Sequence, residues 1–394
     1  MVFLLQDDFH MALDKDTFNQ LLETMEKFVA NELIPIEKKV SDDDAVPPEI
    51  IQQMAEMGLF GLSIPEEYGG IGLTAEEEVQ VIQRLGYASP AFRSVIGTNV
   101  GIGSQGILLD GTDEQKQQYL PRLASGELIG SFALTEPDAG SDAGSVRTTA
   151  RLEGDHYIVN GTKRYITNAN RAGVFTLMAR TGTVEAGSKG VTAFLMDANL
   201  PGIEIGAPDK KMGQRGAHIC DVIMTDVKIP KEAIIGAVPN KGFITAMKVL
   251  DRGRLHMSAV ALGCARRLID DSLSYGLERK QFNQRVADFQ LVQAMLADSD
   301  TEYFAGKCMV EETARMYDRG GRLSRYTAAC KLYCTEMVGR VADRAVQIHG
   351  GSGYIAEYAV ERFYRDVRIF RLYEGTSQIQ QLLIAKEMIR DYER

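Results

Sequence analysis

Glu374 is the residue whose type and setting point most directly to chemistry. It stands in RLYEGTSQIQQ (371–381), between a tyrosine and a glycine and just before a predicted helix start. Three roles are open to a carboxylate at such a joint: it can cap the helix, lie exposed in a loop, or be held over a reacting carbon as a base. The segment alone does not choose among these roles, so the choice depends on the rest of the chain.

The segment GIGSQG (101–106) matches the glycine pattern of a dinucleotide-binding turn. That turn requires a strand before it, a helix after it and an acidic residue about 20 positions further on. The surrounding sequence has helical character instead, and LLDGTDEQKQQYL follows where a second parallel strand is needed. We therefore expect these small residues to allow close helix packing, or to leave room for a ligand chain.

The five cysteines and five histidines do not form a metal-binding pattern. No C-x-x-C or H-E-x-x-H occurs, and Cys330 and Cys334, four positions apart on a predicted helix, have no third ligand nearby. Helix packing is the simpler interpretation of that pair, so we predict no metal. The odd number of cysteines is typical of a reduced cytosolic or matrix protein rather than of a disulfide-stapled secreted one.

The chain is acidic, with a formal net charge of −10 and a pI near 5.2. This charge argues against broad nucleic-acid binding, which depends on Lys and Arg neutralising phosphates. No run of about 18 apolar residues occurs, so no transmembrane helix is predicted. The start MVFLLQDDFH has neither the basic region of a signal peptide nor the Arg-rich character of a transit peptide. We expect a cytoplasmic location, or the mitochondrial matrix in a eukaryote.

A length of 394 residues suggests about two or three domains. The first, residues 1–125, is predicted to be helical. Apolar residues between positions 18 and 29 recur with the period of a helix, and Asp16 and Thr17 are candidate caps for it. Further on, Thr74-x-x-Glu77 resembles a capping box and predicts another helix start.

The middle region, residues 126–237, changes to the period of β-strands. Turn signals occur at Gly154-Asp155 and Asn160-Gly161, with near-alternating residues between them, which is typical of hairpins. Further β-rich runs follow at 173–181, 191–198 and 220–229. Strands this closely spaced, with no helices between them, predict an antiparallel sheet or barrel.

The last region, residues 238–394, returns to long helices. They are predicted from Phe243 toward Arg279, from Phe289 to Gly320-Gly321, and from Ser324 to Gly350-Gly351. The glycine pairs act as helix stops, and long helices that are apolar on one side predict a bundle. The fold class is therefore α+β, in the order helical region, β region, helical bundle.

Four separated segments combine into a specific pattern: FALTEPDAGSD (132–142), KRYITNA (163–169), ERKQF (278–282) and RLYEGTSQIQ (371–380). QIHGGSGY and PEEYGG support them. In this order, and on this α–β–α layout, the chain resembles the acyl-CoA dehydrogenase family along nearly its whole length. The resemblance implies an N-terminal helical domain, a middle β domain and a C-terminal four-helix bundle.

The resemblance also implies a reaction. Family members bind FAD, oxidise acyl-CoA thioesters to trans-2-enoyl-CoA and pass the electrons to electron-transfer flavoprotein, and most are homotetramers. In this family, helices near residues 95–106 and the region around 251–258 shape the acyl cavity. Gly253-Arg254 is similar to short- and branched-chain members, so we expect a short- to medium-chain acyl group, linear or branched.

Glu374 matches the base that removes the α-proton of the thioester. The family uses the backbone N–H of this glutamate, together with a flavin hydroxyl, to hold the thioester oxygen. Some members place the base instead at the position of Gly253 in DRGR (251–254), where this chain has no acid. Glu374 is therefore the only matching base, and Glu374→Gln is expected to be nearly inactive.

The resemblance assigns FAD contacts to several parts of the chain. The flavin ring and phosphate would be lined by Phe132, Leu134, Thr135, Ser141, Tyr165, Ile166 and Thr167. The FAD of a neighbouring subunit, with its pyrophosphate and adenine, would be reached by Arg279, Gln281, Phe282, Gln290, Gln347, Gly350 and Gly351. Thr376 and Gln378 would contact adenosine, although Thr376 fits a helix cap equally well. Many relatives have Trp where this chain has Tyr165, so an aromatic face is kept.

Acyl-CoA contacts are implied for Ser141, Asp251, Arg254, Tyr373 and Gly375. Arg254 has a second interpretation, a structural pair with an acid of the helix bundle. Two alternatives to the dehydrogenase are an acyl-CoA oxidase and a non-catalytic flavin-binding relative that binds DNA or acts as a scaffold. The chain is shorter than most oxidases of this type, and its acidic charge and intact Glu374 argue against the scaffold.

Overall fold

Helices fill the N-terminal region of the computed structural model, which describes residues 12–321 and 323–393. The α-helices are α1 (Lys15–Phe28), α2 (Glu37–Asp43), α3 (Pro48–Glu56), α4 (Ala75–Leu85), α5 (Pro90–Gly97), α6 (Gln105–Asp110) and α7 (Asp113–Ala124). Helix α4 begins at the predicted capping box, where Thr74 and Glu77 each accept the backbone N–H of the other. Helix α1 is capped by Asp14 rather than by Asp16 or Thr17, because the Asp14 carboxylate accepts both of their N–H groups.

The segment 101–106 lies in helical structure, as predicted. A π-helical turn (Thr98–Ile102) follows α5 directly and leads into α6, so a helix and not a strand precedes the segment. Gly103 packs so closely that a Cβ there would lie 2.6 Å from the Thr98 carbonyl oxygen and 3.1 Å from the Gly130 carbonyl carbon. A Cβ at Gly101 would meet no atom within 4 Å. The glycines therefore serve helix packing and open space, not a dinucleotide turn.

A seven-stranded sheet forms the middle region. Its strands are β1 (Gly130–Ala133), β2 (Thr149–Glu153), β3 (His156–Thr167), β4 (Val174–Arg180), β5 (Val191–Asp197), β6 (Ile203–Ile205) and β7 (Ile219–Pro230). The predicted turn at Gly154-Asp155 joins β2 and β3, and the pairs β3–β7 and β4–β5 are antiparallel. The sheet is nevertheless mixed, because β1 runs parallel to β4. A parallel pair needs a long crossover, and the 40 residues between β1 and β4 supply it.

The predicted turn at Asn160-Gly161 is wrong. Both residues lie inside β3, at a shift in its register with β7. Gly161 has a φ of 152°, and a Cβ there would lie 2.5 Å from Thr148 Oγ1. The glycine is needed for the close approach of the neighbouring segment at a bulge, so a residue pair typical of turns lies within a long strand.

The C-terminal helices form a four-helix bundle, as predicted. The four long helices are α8 (Gly242–Glu278), α9 (Gln290–Asp318), α10 (Ser324–His349) and α12 (Ser377–Tyr392). The short helix α11 (Ala359–Asp366) lies between α10 and α12 in the chain, and a small hairpin of β8 (Lys280–Gln281) and β9 (Gln284–Arg285) follows α8. Helix α10 packs against α8, α9 and α12. Gly320 and Gly350 have φ values of 77° and 58°, which stop the helices before them.

Helix α8 also joins the bundle to the N-terminal region. A Cβ at Gly263 of α8 would lie 2.2 Å from the Gln83 carbonyl oxygen, and a Cβ at Gly86 would lie 2.8 Å from the Val260 carbonyl oxygen. The two backbones therefore cross in direct contact. This crossing sets the position of α4 and α5 against the middle of α8, where Gly253 lies.

The predicted domain boundaries fall in the connections between α7 and β1 and between β7 and α8. The division into domains 1–125, 126–237 and 238–394 stays a prediction. Cys330 and Cys334 are buried on α10, with Cys330 Sγ 3.1 Å from Thr313 Oγ1 of α9, as helix packing predicts. Within residues 12–321 and 323–393, no helix is long and apolar enough to cross a membrane, and no three potential metal ligands cluster.

Candidate active site

Glu374 lies in a tight connection between the helical turn Val367–Arg371 and α12. Its φ is 56° and that of Gly375 is 90°, so two successive residues have the left-handed conformation. A non-glycine residue rarely adopts this conformation unless its surroundings impose it. At Gly375 a Cβ would lie 2.6 Å from Gln380 Nε2, so only glycine fits.

Two buried side chains donate hydrogen bonds to the backbone carbonyls of this connection. Lys331 Nζ of α10 donates to the Gly375 carbonyl at 2.6 Å. Gln380 Nε2 of α12 donates to the Glu374 carbonyl at 2.9 Å and to the Gly375 carbonyl at 3.0 Å. Thr376 caps α12, because its Oγ1 accepts the N–H of Ile379 at 3.3 Å. The role of helix cap is therefore filled by Thr376 and not by Glu374.

The Glu374 carboxylate has no partner. Its Oε2 is buried, and neither carboxylate oxygen accepts a hydrogen bond or forms an ion pair with any described residue. A Cβ at Gly253 of α8 would lie 2.7 Å from Oε2, so the carboxylate rests directly on that glycine. Burial raises the pKa of Glu374 above its ordinary value, against the opposing positive charges of Arg93, Arg254 and Lys331. A buried, unpaired carboxylate fits a base, and neither a cap nor an exposed loop residue.

The backbone N–H of Glu374 is also open. It donates to no acceptor within the described residues, whereas the N–H groups of Leu372 and Tyr373 both donate to the Ile369 carbonyl. Tyr373 packs beside the base, with its hydroxyl 3.4 Å from Met257 Sδ. The carboxylate and this amide together offer a proton acceptor and a hydrogen-bond donor at one residue.

Asp251 and Arg254 bind each other. Arg254 NH1 donates to Asp251 Oδ1 at 2.6 Å, and Asp251 also accepts the hydroxyl of Ser324. Arg254 is buried, and its Nε has no partner within the described residues. The structural pairing of Arg254 is thus present, and a contact of either residue with CoA stays a prediction.

A polar network lies on the other side of the base. Arg93 Nε of α5 donates to His256 Nε2 of α8 at 2.8 Å, and His256 Nδ1 lies 3.0 Å from Glu78 Oε1. Glu78 also pairs with Arg252. Burial lowers the pKa of His256 to about 4, so its ring is neutral. Since Arg93 can only donate, the ring proton lies on Nδ1 and is donated to Glu78.

The residues expected to line the flavin ring form a ledge at the ends of β1 and β3. Phe132 and Leu134 are buried, and the Thr135 carbonyl accepts the N–H of Arg164 at 2.8 Å. Lys163, fully buried, donates to the Leu134 carbonyl at 3.0 Å and to Glu136 at 2.7 Å. These bonds lock the two segments side by side.

The ledge offers what an aromatic cofactor ring requires. Tyr165 has a φ of 59° and is 54% exposed, so its ring faces outward. The side chain of Ile166 lies in the sheet core, which leaves only its backbone available, while Thr167 is half-buried. An outward aromatic ring, with the guanidinium of Arg164 5.0 Å from its centroid, fits an aromatic cofactor such as FAD. Ser141 is exposed next to Gly140, where a Cβ would meet no atom within 4 Å.

The residues expected to reach a neighbouring subunit's FAD are all exposed in the single chain. Phe282, at the tip of the β8–β9 hairpin, is 89% exposed. The others are Arg279, Gln281, Gln290, Gln347, Gly350 and Gly351. Gln378, which was expected to contact adenosine, is exposed as well. The hairpin and the end of α10 lie at one end of the bundle, because Tyr275 of α8 stacks on His349 with ring centroids 4.3 Å apart. The chain therefore groups Arg279 with Gly350, and it leaves this group uncovered.

Sequence analysis missed three residues near the base: Arg93, Lys331 and Gln380. A signal existed for Lys331, which lies three positions from both Ala328 and Cys334 on the apolar face of its helix. A lone cation in an apolar stripe indicates a buried charge with a specific task. Arg93 and Gln380 carry no such signal, because polar residues at their positions are as easily read as solvated.

Comparison with known sequences matches most of the chain to one family. Three profiles match in order: "Acyl-CoA dehydrogenase, N-terminal domain" at residues 15–127, "Acyl-CoA dehydrogenase, middle domain" at residues 131–227, and "Acyl-CoA dehydrogenase, C-terminal domain" at residues 240–389. The resemblance found in the sequence motifs is confirmed.

Similar curated proteins carry both dehydrogenase and reductase names. A 3-(aryl)acrylate reductase of Clostridium sporogenes is 41% identical over 363 residues, covering 92% of this chain and 96% of the relative. The caffeyl-CoA reductase-Etf complex subunit CarC of Acetobacterium woodii is 40% identical over 352 residues, covering 89% and 92%. The human mitochondrial short-chain specific acyl-CoA dehydrogenase is 36% identical over 377 residues, covering 96% and 91%.

Similar solved structures confirm the fold. A glutaryl-CoA dehydrogenase in complex with glutaryl-CoA has a TM-score of 0.89 at 34% identity, covering 97% of this chain and 96% of that one. An acyl-CoA dehydrogenase of Bacillus anthracis complexed with FAD has a TM-score of 0.89 at 33% identity, covering 98% and 68%. The chain therefore belongs to the acyl-CoA dehydrogenase family and is an FAD-dependent oxidoreductase of that family.

Proposed function

We propose that the chain catalyses α,β-dehydrogenation of a short- to medium-chain acyl-CoA, linear or branched, to the trans-2-enoyl-CoA, with Glu374 as the base. The observation that carries this proposal is the buried, unpaired Glu374 carboxylate resting on Gly253. A C–H beside a thioester carbonyl is a weak acid, so its removal needs a strong base. Burial raises the pKa of Glu374 and so strengthens it as a base.

The open N–H of Glu374 would hold the thioester oxygen as negative charge develops there, which is an oxyanion-hole arrangement. Asp251, Arg254 and Ser141 would contact the CoA part, while Tyr373 and Gly375 would border the acyl part. FAD, when bound against the Tyr165 ledge, supplies the acceptor for the β-hydrogen. The chain's own task is to orient the thioester, remove the α-proton and exclude water.

The electron acceptor is proposed from a relative, and the assembly from the exposed residues of this chain. The printed name of the Acetobacterium woodii relative includes an Etf complex, and we propose that electron-transfer flavoprotein is the partner here. We also propose a homotetramer, because Arg279, Phe282 and their neighbours form an exposed group that includes a large aromatic side chain. A cytoplasmic location is proposed from the acidic composition and reduced cysteines.

An anaerobic titration tests the proposal. The purified protein is mixed in separate cells with butyryl-, isovaleryl-, octanoyl- and palmitoyl-CoA, and the oxidised-flavin absorption band is recorded. Prompt bleaching by a short or medium chain is expected. A yellow protein that none of them bleaches contradicts this substrate assignment, and a colourless protein that cannot be reconstituted contradicts the flavin site.

Glu374→Gln tests the base itself. The amide keeps the shape of the side chain but cannot accept the α-proton, so we expect bleaching to slow by about 10²- to 10⁴-fold with flavin retained. Glu357→Gln, at an exposed glutamate, is the matched control. Bleaching of the Glu374→Gln variant at the wild-type rate would assign the proton to another group.

The same residues serve the reverse reaction, in which a protonated Glu374 donates to the α-carbon of an enoyl-CoA. The reductase names of two relatives favour this direction as a second candidate. Chemically reduced enzyme is mixed with crotonyl- and cinnamoyl-CoA, and reoxidation of the flavin is followed. Faster reoxidation than acyl-CoA-driven bleaching supports a reductase, whereas no reoxidation excludes it.

Arg93 favours a further refinement of the substrate class, an acyl group with an anionic end. Arg93 is half-buried on α5, and its guanidinium lies against Gly97, where a Cβ would be 2.9 Å from Cζ. It pairs with no carboxylate within the described residues, since its one partner is the neutral ring of His256. Glu78 is already balanced by Arg252, so the network keeps one surplus positive charge beside the acyl region.

A terminal carboxylate on the acyl chain would neutralise that charge, and the related structure with glutaryl-CoA supports this choice. The test compares glutaryl-CoA with valeryl-CoA in wild type and Arg93→Gln. A lost charged hydrogen bond should lower kcat/KM for glutaryl-CoA by about 10- to 150-fold and leave valeryl-CoA nearly unchanged. Arg84→Gln on α4 is the control. Equal losses on both substrates would mean that Arg93 acts on the base instead.

A further inference from the structure

Lys331 is a buried cation that the proposed chemistry does not use. Its side chain is fully buried in the bundle, and no carboxylate lies within ion-pair distance of it in the described part of the chain. An ammonium group in such a place is costly unless something compensates for the lost water. The acceptor that the structure provides is one backbone oxygen, the carbonyl of Gly375 at 2.6 Å.

Gln380 completes the same arrangement from α12. Its side chain is fully buried, and its Nε2 donates to two successive carbonyls, those of Glu374 and Gly375. Its Oε1 has no partner within the described residues. The side chain is thus oriented by the two carbonyls alone, and three donated bonds converge on two peptide units.

These bonds act on an unfavourable backbone. The left-handed conformation of Glu374 costs of order 1–3 kcal/mol in a non-glycine residue. With both carbonyls turned into the bundle, the Glu374 side chain points to Gly253 and its N–H finds no acceptor among the described residues. Without the donors, the carbonyls would be buried and unsatisfied, and the connection would relax.

We propose that Lys331 and Gln380 are the positioning residues of the base: they fix the two left-handed peptide units so that the Glu374 carboxylate rests on Gly253 and its N–H stays open to the thioester oxygen. This proposal rests on the function proposed for Glu374. It adds a division of labour, because Gln380 contributes hydrogen bonds alone while Lys331 contributes a hydrogen bond and a positive charge.

The charge gives the two residues different signatures. Lys331 stabilises the ionised form of Glu374, as Arg93 and Arg254 also do. Burial lowers the pKa of Lys331 to about 8, while the charge of Glu374 raises it, Arg254 lowers it and Glu336 raises it. Removing the ammonium group should therefore raise the pKa of Glu374, whereas removing the Gln380 amide should not change the charge around it.

The test uses the holoenzyme and two nearly isosteric changes, Lys331→Met and Gln380→Met. The rate of anaerobic flavin bleaching by the best acyl-CoA is measured from pH 5 to 9, beside flavin content and acyl-CoA affinity. Both variants are expected to retain flavin and affinity and to lose about 10- to 100-fold in rate, because the base is misplaced. Only Lys331→Met should move the acid limb of the rate profile to higher pH.

Cys334→Ala is the matched control, since Cys334 is buried on the same helix and faces α9 rather than the base. It should lower thermal stability without changing the bleaching rate or the acid limb. If Lys331→Met does not fold, Gln380→Met carries the positional half of the test alone.

The outcomes separate the two proposals. Variants that bleach at the wild-type rate with an unchanged acid limb overturn the positioning role and leave the dehydrogenase intact. If Cys334→Ala also loses rate, in proportion to its loss of thermal stability, then the rate losses of the two variants reflect stability alone, and this outcome overturns the positioning role as well. A wild-type protein that no acyl-CoA bleaches overturns the proposed function, and the positioning role with it.

Discussion

At the scale of the residue, the site is one carboxylate with a buried oxygen that has no hydrogen-bond partner among the described residues. The carboxylate can lie here because Gly253 has no side chain and leaves the space that Oε2 occupies. The two positions that the resemblance predicts for the base, Glu374 and Gly253, therefore face each other here, and only one of them carries an acid.

Gly253→Ala tests this relation. In a helix interior, alanine is more stabilising than glycine by about 0.5–1 kcal/mol, so the apparent Tm should stay the same or rise. The new Cβ would nevertheless lie 2.7 Å from Glu374 Oε2 and displace the carboxylate. We expect flavin bleaching to slow by at least about tenfold. Thermal unfolding and stopped-flow absorption measure the two effects.

Gly276→Ala on the same helix is the control, because its Cβ would meet its nearest neighbour at an ordinary 3.4 Å. It should share any gain in Tm without the loss in rate. Unchanged bleaching in Gly253→Ala would show that the carboxylate lies elsewhere in solution.

At the scale of the element, the crossing of α4, α5 and α8 positions the acyl region. The backbones of α4 and α8 touch at Gly86 and Gly263, and Arg93, His256 and Glu78 bond across the three helices. Because the helix backbones touch, these side chains lie within hydrogen-bond distance of one another.

Gly263→Ala should separate α4 from α8. The added Cβ would lie 2.2 Å from the Gln83 carbonyl oxygen, which is backbone and cannot swing aside. Overpacking of this kind costs about 1–3 kcal/mol, against a small gain in helix propensity. A lower urea midpoint is expected, with weaker acyl-CoA binding because α5 moves with α4. A midpoint equal to that of wild type would mean that the crossing can adjust.

The network of His256 should make stability depend on pH. Burial lowers the pKa of His256 to about 4 from 6.5, while the unfolded chain keeps the ordinary value. Between these values the unfolded state binds more protons than the folded state, so stability falls as pH falls from about 6.5 to 4. The charged neighbours of His256 are Arg93, Glu78 and Arg252. The pKa of Glu78 is lowered in the folded state, so protonation of Glu78 causes a further loss of stability below its ordinary pKa.

His256→Asn should remove that part of the slope. The variant is expected to be less stable than wild type at pH 7, because Arg93 and Glu78 lose the side chain that bonds to both. The difference in stability between wild type and variant should become smaller toward pH 4.5. Thermal unfolding across this range, with His156→Asn as a surface control, measures it. Parallel curves for wild type and variant would contradict a neutral His256 in the folded state.

At the scale of the whole molecule, one chain leaves exposed the surface that we propose to contact a neighbouring subunit's cofactor. Phe282 is 89% exposed and Tyr354 is 87% exposed, beside Arg279 and the glycines that end α10. Exposed aromatic residues at a bundle end are typical of a subunit interface.

Arg279→Ala should therefore weaken FAD retention and the tetramer together. The guanidinium would pair with a phosphate of the neighbouring subunit's cofactor. Its loss would remove one contact that contributes both to FAD binding and to subunit association. The flavin-to-protein absorbance ratio after gel filtration and the sedimentation coefficient are the measurements. Lys228→Ala, exposed on β7, is the control. A tetramer with full flavin after Arg279→Ala would remove Arg279 from the interface.

Short-range sequence patterns were enough to predict many of the secondary-structure elements and their ends. The helical period, the capping box at Thr74 and the glycine stops at Gly320 and Gly350 are confirmed, because each depends on neighbours a few positions away. The ordered motifs also led to the family, and they singled out Glu374 as a base, which stays a proposal. These signals need no knowledge of what packs where.

Only the tertiary structure decided the rest. The parallel pairing of β1 with β4 and the bulge at Gly161 depend on strands that meet across long loops. Lys331 reaches Gly375 across 44 positions and Arg93 reaches His256 across 163. In sequence Arg93 looks like a solvated residue, and the apolar stripe around Lys331 shows a buried charge without naming its partner, because these bonds form between groups that only folding brings within hydrogen-bond distance.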